Sequence, residues 1–448
     1  MPDLDTRLLS AVSASFERCI GQDEAVEVGL SGGLDSVVLL HLLCRLREKK
    51  PFKLNAVHVH HGLQTLADGW PEFCANICKT WQIVLRVEYV KPNIKKAGIE
   101  AGARKARYDV FAHSNSANVA LAHHQDDQVE TFMLAALRGG GLRSLAAMPE
   151  QRVLTESVRI WRPLLQFSRQ DLVVYAYQHG LSYIDDPSNT DESLLRNWLR
   201  QRGLPDFRQR VPEFDKHIIS SVDLLQQELA VLEEVAADDW HNIHHAGFFD
   251  SHIWRALSPG RQRLQLLRLT RQENLGTPTR ASLNDFCRIL YELGSKSAEW
   301  RLPEGMVYAY QNRLFGVRHN WLDDCTWLSG LCPSEINESA LKKVLIAANF
   351  KLCRHLYGLR EDILEHVGRV RQVDTDDVIE LTVGHKKVRK LLQECKIPPF
   401  VRPYWPVITD QENRCIAVPN LWISPSYACV NGIFPCFEKF CCFVLEPK

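Results

Sequence analysis

Several short stretches concentrate residue types that do chemistry, and the densest is Ser31-Gly32-Gly33-Leu34-Asp35-Ser36. Adjacent glycines let the backbone pass close to a ligand in conformations other residues avoid, and Ser31 and Ser36 add hydroxyls. A helical pattern opens directly behind them at Val37-Val38-Leu39-Leu40, and a helix N-terminus offers unpaired N–H groups and partial positive charge. Together these parts make a cradle for phosphate. Asp35 repels phosphate unless it holds a cation, so it is read as a ligand for Mg²⁺ or an amine. A plain strand-to-helix turn with serine caps would use the same Ser-Gly-Gly, but the full six-residue string after a strand is more specific. It fits neither G-x-x-x-x-G-K-[ST] nor G-x-G-x-x-G.

The second stretch is His123-His124-Gln125-Asp126-Asp127-Gln128-Val129-Glu130-Thr131. If a helix begins near Gln125, then His123, Asp127 and Glu130 fall close to one face at spacings of four and three. Three titratable groups converging beside a phosphate loop could bind a metal, a cationic substrate, or both. The structural alternative is that Asp126 and Asp127 simply favour a helix N-terminus through its dipole. A third stretch, His58-Val59-His60-His61-Gly62-Leu63, reads as well as a polar loop as it does as a nucleotide contact. In Arg138-Gly139-Gly140-Gly141-Leu142-Arg143, glycines flanked by arginines suggest a loop facing phosphate or RNA, with a helix-ending turn as the alternative.

These stretches need elements to position them. Apolar runs at 25–30, 54–59, 83–87 and 119–122 alternate with helical patterns at 7–20, 37–43, 68–80 and one carrying Glu100, Arg104, Arg107 and Tyr108. A last strand at 158–165 and a helix at 168–180 follow, then the turn cluster Asp185-Asp186-Pro187-Ser188-Asn189-Thr190, with Arg196-Asn197 soon after. Such alternation means βαβ units and a parallel sheet, in which ligands bind outside the carboxyl ends of the strands. The chemically loaded stretches occupy those ends.

A chain of 448 residues is long for one domain and suggests two or three. With 54 basic and 54 acidic residues there is no global field for nucleic acid, although a local basic face is compatible with that balance. No apolar run reaches membrane-spanning length, and Asp3 and Asp5 stand where a secretory signal would carry base. A cytoplasmic protein is expected. The 14 cysteines are scattered and read as free thiols; Cys74/Cys78 and Cys441-Cys442 lack the paired C-x-x-C sets of a zinc site. From 215 to about 330 the pattern is helical, with Trp240, Trp254 and Phe248-Phe249 read as core. Arg261, Arg263, Arg268 and Arg271 make either an RNA-facing stripe or a solvated face. After a polar join at Pro333-Ser334-Glu335-Ile336-Asn337, strands mix with a basic helix, Lys386-Lys387-Val388-Arg389-Lys390-Leu391-Leu392. Its cations would position RNA through phosphates unless they are merely solvated.

The glycine loop resembles the PP-loop signature of the N-type ATP pyrophosphatases, enzymes that adenylate a carbonyl oxygen so that a nucleophile can displace AMP. The order of motifs further resembles the bacterial tRNA(Ile)-lysidine synthetases. That match runs through Ser31–Ser36, His61-Gly62-Leu63, Glu100/Arg104/Arg107-Tyr108, His123–Thr131, Arg138–Leu142, Arg162-Pro163-Leu164, Asp186-Pro187-Ser188-Asn189 and Arg196-Asn197. It resumes in Gly384-His385-Lys386-Lys387, Ile397-Pro398-Pro399, Arg402, Ala417-Val418-Pro419 and Leu421-Trp422.

The resemblance implies an α/β fold with an N-terminal parallel-sheet PP-loop domain (adenine nucleotide alpha hydrolase-like) at 1–212, a helical middle domain at 213–335, and a small α+β tRNA-binding domain at 336–448. It implies ATP-dependent ligation of free L-lysine to C2 of the wobble cytidine of tRNA(Ile) with a CAU anticodon, through an adenylated cytidine. The product, lysidine, pairs with A, which moves the codon from AUG to AUA and the identity from Met to Ile. On the family's pattern Ser31, Gly32, Gly33, Leu34, Asp35 and Ser36 bind ATP with Mg²⁺; Asp35, Asp127 and Glu130, with His123 nearby, are the catalytic set that holds lysine's amino groups, and either a neighbouring carboxylate or His123 could accept its proton. Arg104, Arg138, Arg196, Lys386, Lys387 and Arg389 meet phosphate or tRNA. No protein-only metal site is implied, and a homodimer is compatible with it. Gly140 stands where Ser, Thr or Ala is more usual, and Gln125 fills a variable place. The alternatives are another PP-loop tRNA-modifying enzyme, such as a tRNA thiolase, and an RNA-binding protein whose nucleotide loop only switches conformation. A thiolase needs reactive sulfur near the site, which Cys74/Cys78 supply poorly, and three carboxylates are excessive for a switch.

Overall fold

A computed structural model of the chain describes residues 3–62, 68–91, 99–185, 195–245, 248–293, 297–321, 340–348, 350–366, 368–441 and 443–444. Two compact units divide between Leu232 and Glu233. The turn Asp186-Pro187-Ser188-Asn189 and the join at 335–336 lie outside the described residues.

In the first unit, helices α1 (Leu4–Cys19), α2 (Leu34–Lys49), α3 (Trp70–Thr80), α4 (Ile99–Ala112), α5 (Gln125–Leu137) and α6 (Arg169–Gln178) alternate with strands β1 (Val26–Gly29), β2 (Leu54–His60), β3 (Val84–Tyr89), β4 (Asn118–Ala120), β5 (Gln151–Val153) and β6 (Arg159–Trp161). Helix α2 is apolar around most of its circumference, and Val37 to Leu40, Leu42, Leu43 and Leu46 are all buried. That is the pattern of a helix clamped between a sheet and other helices rather than one lying on a surface. Its side chains join Val26, Val28, Leu54 and Ala56 of the sheet in one core.

Among the described residues the strand order is β3-β2-β1-β4-β6-β5. Every pairing is parallel except that of the edge strand β5 with β6. From β1 the chain moves outward to β2 and β3, then crosses back to β4 on the other side. The strand order therefore reverses between β1 and β4, and a crevice opens at their carboxyl ends. The loops leaving those two strands are Ser31–Ser36 and the approach to His123–Glu130.

The second unit carries helices Ser251–Arg255, Pro259–Gln272 and Arg280–Glu292, as the helical pattern of the middle region implied. It adds an antiparallel sheet of β7 (His244–His245), β8 (Phe248–Asp250), β9 (Ser297–Leu302), β10 (Gly305–Tyr310) and β11 (Arg313–Arg318), in the order β7-β8-β11-β10-β9. β10 alternates buried and half-buried residues, but each of these last three strands is only six residues long, too short a run to outweigh the helical signal before them. Trp254, Phe249 and Trp300 are core. The arginine stripe is largely committed elsewhere: Arg261 pairs with buried Asp239, Arg271 with Glu233, and Arg268 lies 5.7 Å over the Trp240 ring.

Further on, a ribbon of β12 (Lys351–Leu359) and β19 (Ala428–Cys436) accompanies a sheet of β13 (Arg369–Gln372), β14 (Val378–Glu380), β15 (His385–Lys387), β16 (Pro406–Thr409) and β17 (Cys415–Val418), in the order β13-β16-β17-β14-β15. Lys386 and Lys387 were expected on a helix but lie on strand β15 (His385–Lys387), paired with Ile379 and Val378; the helix is Val388–Glu394. The ladder to β14 captures them because apolar Val388, fully buried, is the first residue whose side chain a helix can seat in the core. No helix among the described residues is long and apolar enough to cross a membrane.

Candidate active site

The glycine loop has its shape for local reasons. Gly32 adopts φ of +88°, where L side chains are strained, and a Cβ there would come within 2.7 Å of the Ile184 side chain. The Ile184 N–H donates to the Gly32 carbonyl at 2.9 Å, so the segment after α6 pins the loop. The Ser31 and Ser36 hydroxyls lie 3.0 Å apart, and Ser36 Oγ donates to the Gly33 carbonyl at 2.9 Å. Gly33 is the N-cap of α2 and supplies no side-chain cap, which leaves first-turn N–H groups for a ligand. Asp35 stands in that turn. Its Oδ1 is buried without a hydrogen-bond partner among the described residues, and burial raises its carboxyl above the usual range. A buried, unsatisfied carboxylate oxygen beside an anion cradle suits a cation.

Across the crevice, His124 is the N-cap of α5. Its Nε2 is 3.7 Å from Asp35 Oδ2 and 3.5 Å from Asp127 Oδ2, so the ring bridges the two carboxylates. The His124 backbone N–H donates to Asp127 Oδ2 at 3.1 Å. Asp127 therefore caps the helix and also faces His124 across from Asp35, so the capping reading of this doublet does not exclude a functional one. Burial would raise its carboxyl, but His124, His123 and Arg196 outweigh it and hold it below the usual range. Asp126 is structural: it accepts from the Arg169 N–H at 2.8 Å and pairs with Arg208 at 2.9 Å.

Glu130 is almost fully buried, 1% exposed, and meets two guanidinium groups. Arg196 Nε donates to it at 3.1 Å, and Arg200 Nε and Nη2 at 2.5 and 2.9 Å. Both arginines also approach Asp127 Oδ1, at 3.4 and 3.5 Å. Arg196 was expected on phosphate or RNA, and in this structure it faces carboxylates. Sequence reading passed over His124 and Arg200. A signal for Arg200 was present: cations spaced four apart at 196 and 200 match acids spaced three apart at 127 and 130.

His123 differs from the expectation placed on it. Its Nδ1 has no hydrogen-bond partner among the described residues, and burial pushes its pKa down to about 3, with Asp127 opposing and Arg162, Arg107 and Arg104 adding. It is held neutral, and His124 is the histidine set between the carboxylates. Arg104 lies exposed on α4 with Nη2 3.3 Å from the Tyr108 hydroxyl, and the Glu100 side chain is outside the described residues. Arg138 is exposed at the C-cap of α5. At Gly140 a Cβ would meet the Ala135 carbonyl oxygen at 2.9 Å, so this chain's tight loop uses the missing side chain. His58 Nδ1 donates to the Leu30 carbonyl at 2.8 Å, which makes it part of the loop's framework. Cys74 and Cys78 are buried on α3, and burial pushes both thiols up to about 12. Among the described residues no group of three or more metal-ligating side chains could hold an ion by itself.

With this geometry in place, known proteins give the family. The PP-loop domain family matches residues 5–207, and the TilS substrate C-terminal domain family matches residues 369–432. A protein of Neisseria meningitidis serogroup B named tRNA(Ile)-lysidine synthase is 42% identical over 415 residues, covering 92% of this chain and 96% of the relative. Proteins of the same name from Neisseria gonorrhoeae and Chromobacterium violaceum are 41% and 34% identical, covering 95% and 92% of this chain and 96% and 94% of theirs. A crevice built on a PP-loop, facing a histidine held between two carboxylates, in a chain similar to these relatives over nearly its whole length, belongs to the tRNA(Ile)-lysidine synthase family.

Proposed function

We propose that this chain joins free L-lysine to C2 of the wobble cytidine in tRNA(Ile) bearing a CAU anticodon, consuming ATP. The cytidine C2 oxygen attacks the α-phosphorus and diphosphate leaves. The lysine ε-nitrogen then attacks C2, and AMP departs with the oxygen. The observation that carries this reading is the Asp35–His124–Asp127 array facing an uncapped helix N-terminus.

The backbone of Ser31–Ser36 and the two serine hydroxyls take the phosphates. The free oxygen of Asp35 fits a Mg²⁺ ion that travels with the triphosphate, an ion that would supply charge neutralisation at the leaving diphosphate. Asp35 and Asp127 also offer negative charge for lysine's amino groups. A lysine ε-amine is protonated in water, so it must lose a proton before attack. Asp35, whose carboxyl is raised by burial, is better suited to accept it than His123, whose depressed pKa makes it a weak base. Glu130 works one step back, its two oxygens fixing Arg196 and Arg200 at the rim of the carboxylate pair. Arg104 and Arg138 in the first unit, and Lys386, Lys387 and Arg389 in the second, contribute phosphate contacts to tRNA. The tRNA substrate places the enzyme in the cytoplasm, and sedimentation would test the homodimer. A thiolase reading lacks support, since Cys74 and Cys78 are buried, poorly ionised thiols.

The test is incorporation of radiolabelled lysine, with ATP, into an in-vitro transcript of CAU-anticodon tRNA(Ile), beside an initiator tRNA(Met) transcript. Label in the isoleucine transcript alone is the expected result. Diphosphate release without label would keep the adenylation and overturn lysine as the nucleophile.

A further inference from the structure

Four arginines of the first unit form a second charged cluster: Arg104 and Arg107 on α4, Arg152 on the edge strand β5, and Arg162 just after β6. Tyr108 is at its centre. The Arg104 and Arg152 guanidinium carbons lie 4.9 and 5.1 Å from its ring centroid. Arg162 is 2% exposed; its Nη1 donates to the Pro149 carbonyl at 2.9 Å, and its Nε has no partner among the described residues. Partly buried arginines elsewhere in this unit, such as Arg45, Arg86, Arg159 and Arg208, are each matched to a carboxylate. None of these four is ion-paired among the described residues.

The consequence is repulsion that Tyr108 offsets only in part. Burial, with neighbouring arginines adding and Tyr108 opposing, pushes Arg107 and Arg162 below the usual guanidinium range. Burial would raise the Tyr108 hydroxyl, yet Arg104, Arg162 and Arg152 make it more acidic than an ordinary tyrosine. Such a cluster is stable only if an anion completes it in the working state. Two features say which anion. Arg104 and Arg152 are exposed and stacked on an aromatic ring, which pre-sets their planar forks for phosphate oxygens. The cluster's charge also reaches the crevice, where Arg162, Arg107 and Arg104 help to hold His123 neutral. A base drawn into the crevice would leave its flanking phosphates outside, within reach of that charge.

We propose that Arg152, Arg107 and Tyr108, together with Arg104, hold a backbone phosphate of the RNA strand adjacent to the reacting nucleotide. This rests on the tRNA-modifying function proposed above. Tyr108 acts as the stacking surface that sets the two exposed guanidinium groups, and Arg162 supports it from below in charge.

Binding of the CAU tRNA(Ile) transcript, measured at several salt concentrations without ATP or lysine, tests this. Arg152→Ala should weaken binding roughly 5-fold at moderate salt and reduce the slope of log K against log salt by about one. Arg152→Lys should keep the slope, and KM for lysine and ATP should not move in either variant. An unchanged slope in Arg152→Ala, with unchanged melting temperature, would overturn the proposal and make the cluster a structural stack. A raised lysine KM with intact RNA affinity would overturn it too, because the anion would then be the carboxylate of free lysine. The slope is read from binding alone, so absence of lysidine product with the expected slope change would refute the reaction and leave the phosphate site standing.

Discussion

Two regions were expected to work through charge, and they hold it differently. In the crevice, Glu130 and Asp127 are buried, and both share Arg196 and Arg200 from far along the chain, with His124 also facing Asp127. At Lys386–Arg389 the charges lie near water. Lys386 reaches Glu394 at 2.6 Å and Lys387 lies 3.7 Å from Asp376, while Arg389 is exposed. A buried pair is expensive to break because the survivor stays uncompensated, typically by about 3–5 kcal/mol. A surface pair contributes about 0–1 kcal/mol. Charge in the crevice is therefore committed to one arrangement, whereas the cations of the second unit are held by local partners that cost little to exchange.

The largest effect should come from Asp35→Asn, which removes charge from a crevice carboxylate whose Oδ1 is unpartnered among the described residues. Turnover should fall at least ~10²-fold, with affinity for the tRNA transcript nearly unchanged. Equal loss of both would mean that Asp35 supports the fold rather than the reaction. Next, Glu130→Gln leaves two guanidinium groups short of their counter-charge. Allowing for the partial solvation of Arg196 and Arg200, a loss of about 2–3 kcal/mol is expected in urea unfolding. Adding Arg200→Ala should recover part of it, and no recovery would show that the pair is not what stabilises this corner.

A smaller effect concerns acid. The folded-state pKa of His123, about 3, lies below that of an unfolded histidine, so the unfolded chain takes up a proton first as pH falls. Its penalty is absent near neutrality and grows as pH drops from the ordinary histidine range toward 3, on the order of 1 kcal/mol per pH unit. His123→Asn should flatten the decline of melting temperature between about pH 6 and 4. His41, pushed down to about 4 by burial, acts in the same direction and should leave a residual slope. The smallest effect is expected from Lys386/Lys387/Arg389→Ala: a few-fold weaker tRNA binding and a salt slope lower by about one rather than three, because two of the cations already have local partners. An unchanged slope would make that surface a bystander.

Much of the first unit was legible in the sequence because its signals are local. The glycine loop, the apolar α2 behind it and the His-Asp-Glu spacing at the next strand end each need only a few neighbouring residues to be recognised. Strand β15 was misread because a run of cations followed by leucines looks helical until the ladder to β14 claims its first residues. Strands β9 to β11 escaped for a related reason: six-residue strands after long helices carry too little periodicity of their own.

Sequence alone determined the alternation of strands and helices, the phosphate cradle at Ser31–Ser36 and the acids at 127 and 130, since these follow from spacing along a few turns of chain. Tertiary structure decided that His124 rather than His123 bridges Asp35 and Asp127, that Arg200 joins Arg196 on Glu130, and that four arginines gather unpaired around Tyr108. Those outcomes depend on which residues from far along the chain enter one buried space, where a charge without a partner is costly and an ordinary spacing rule carries no information.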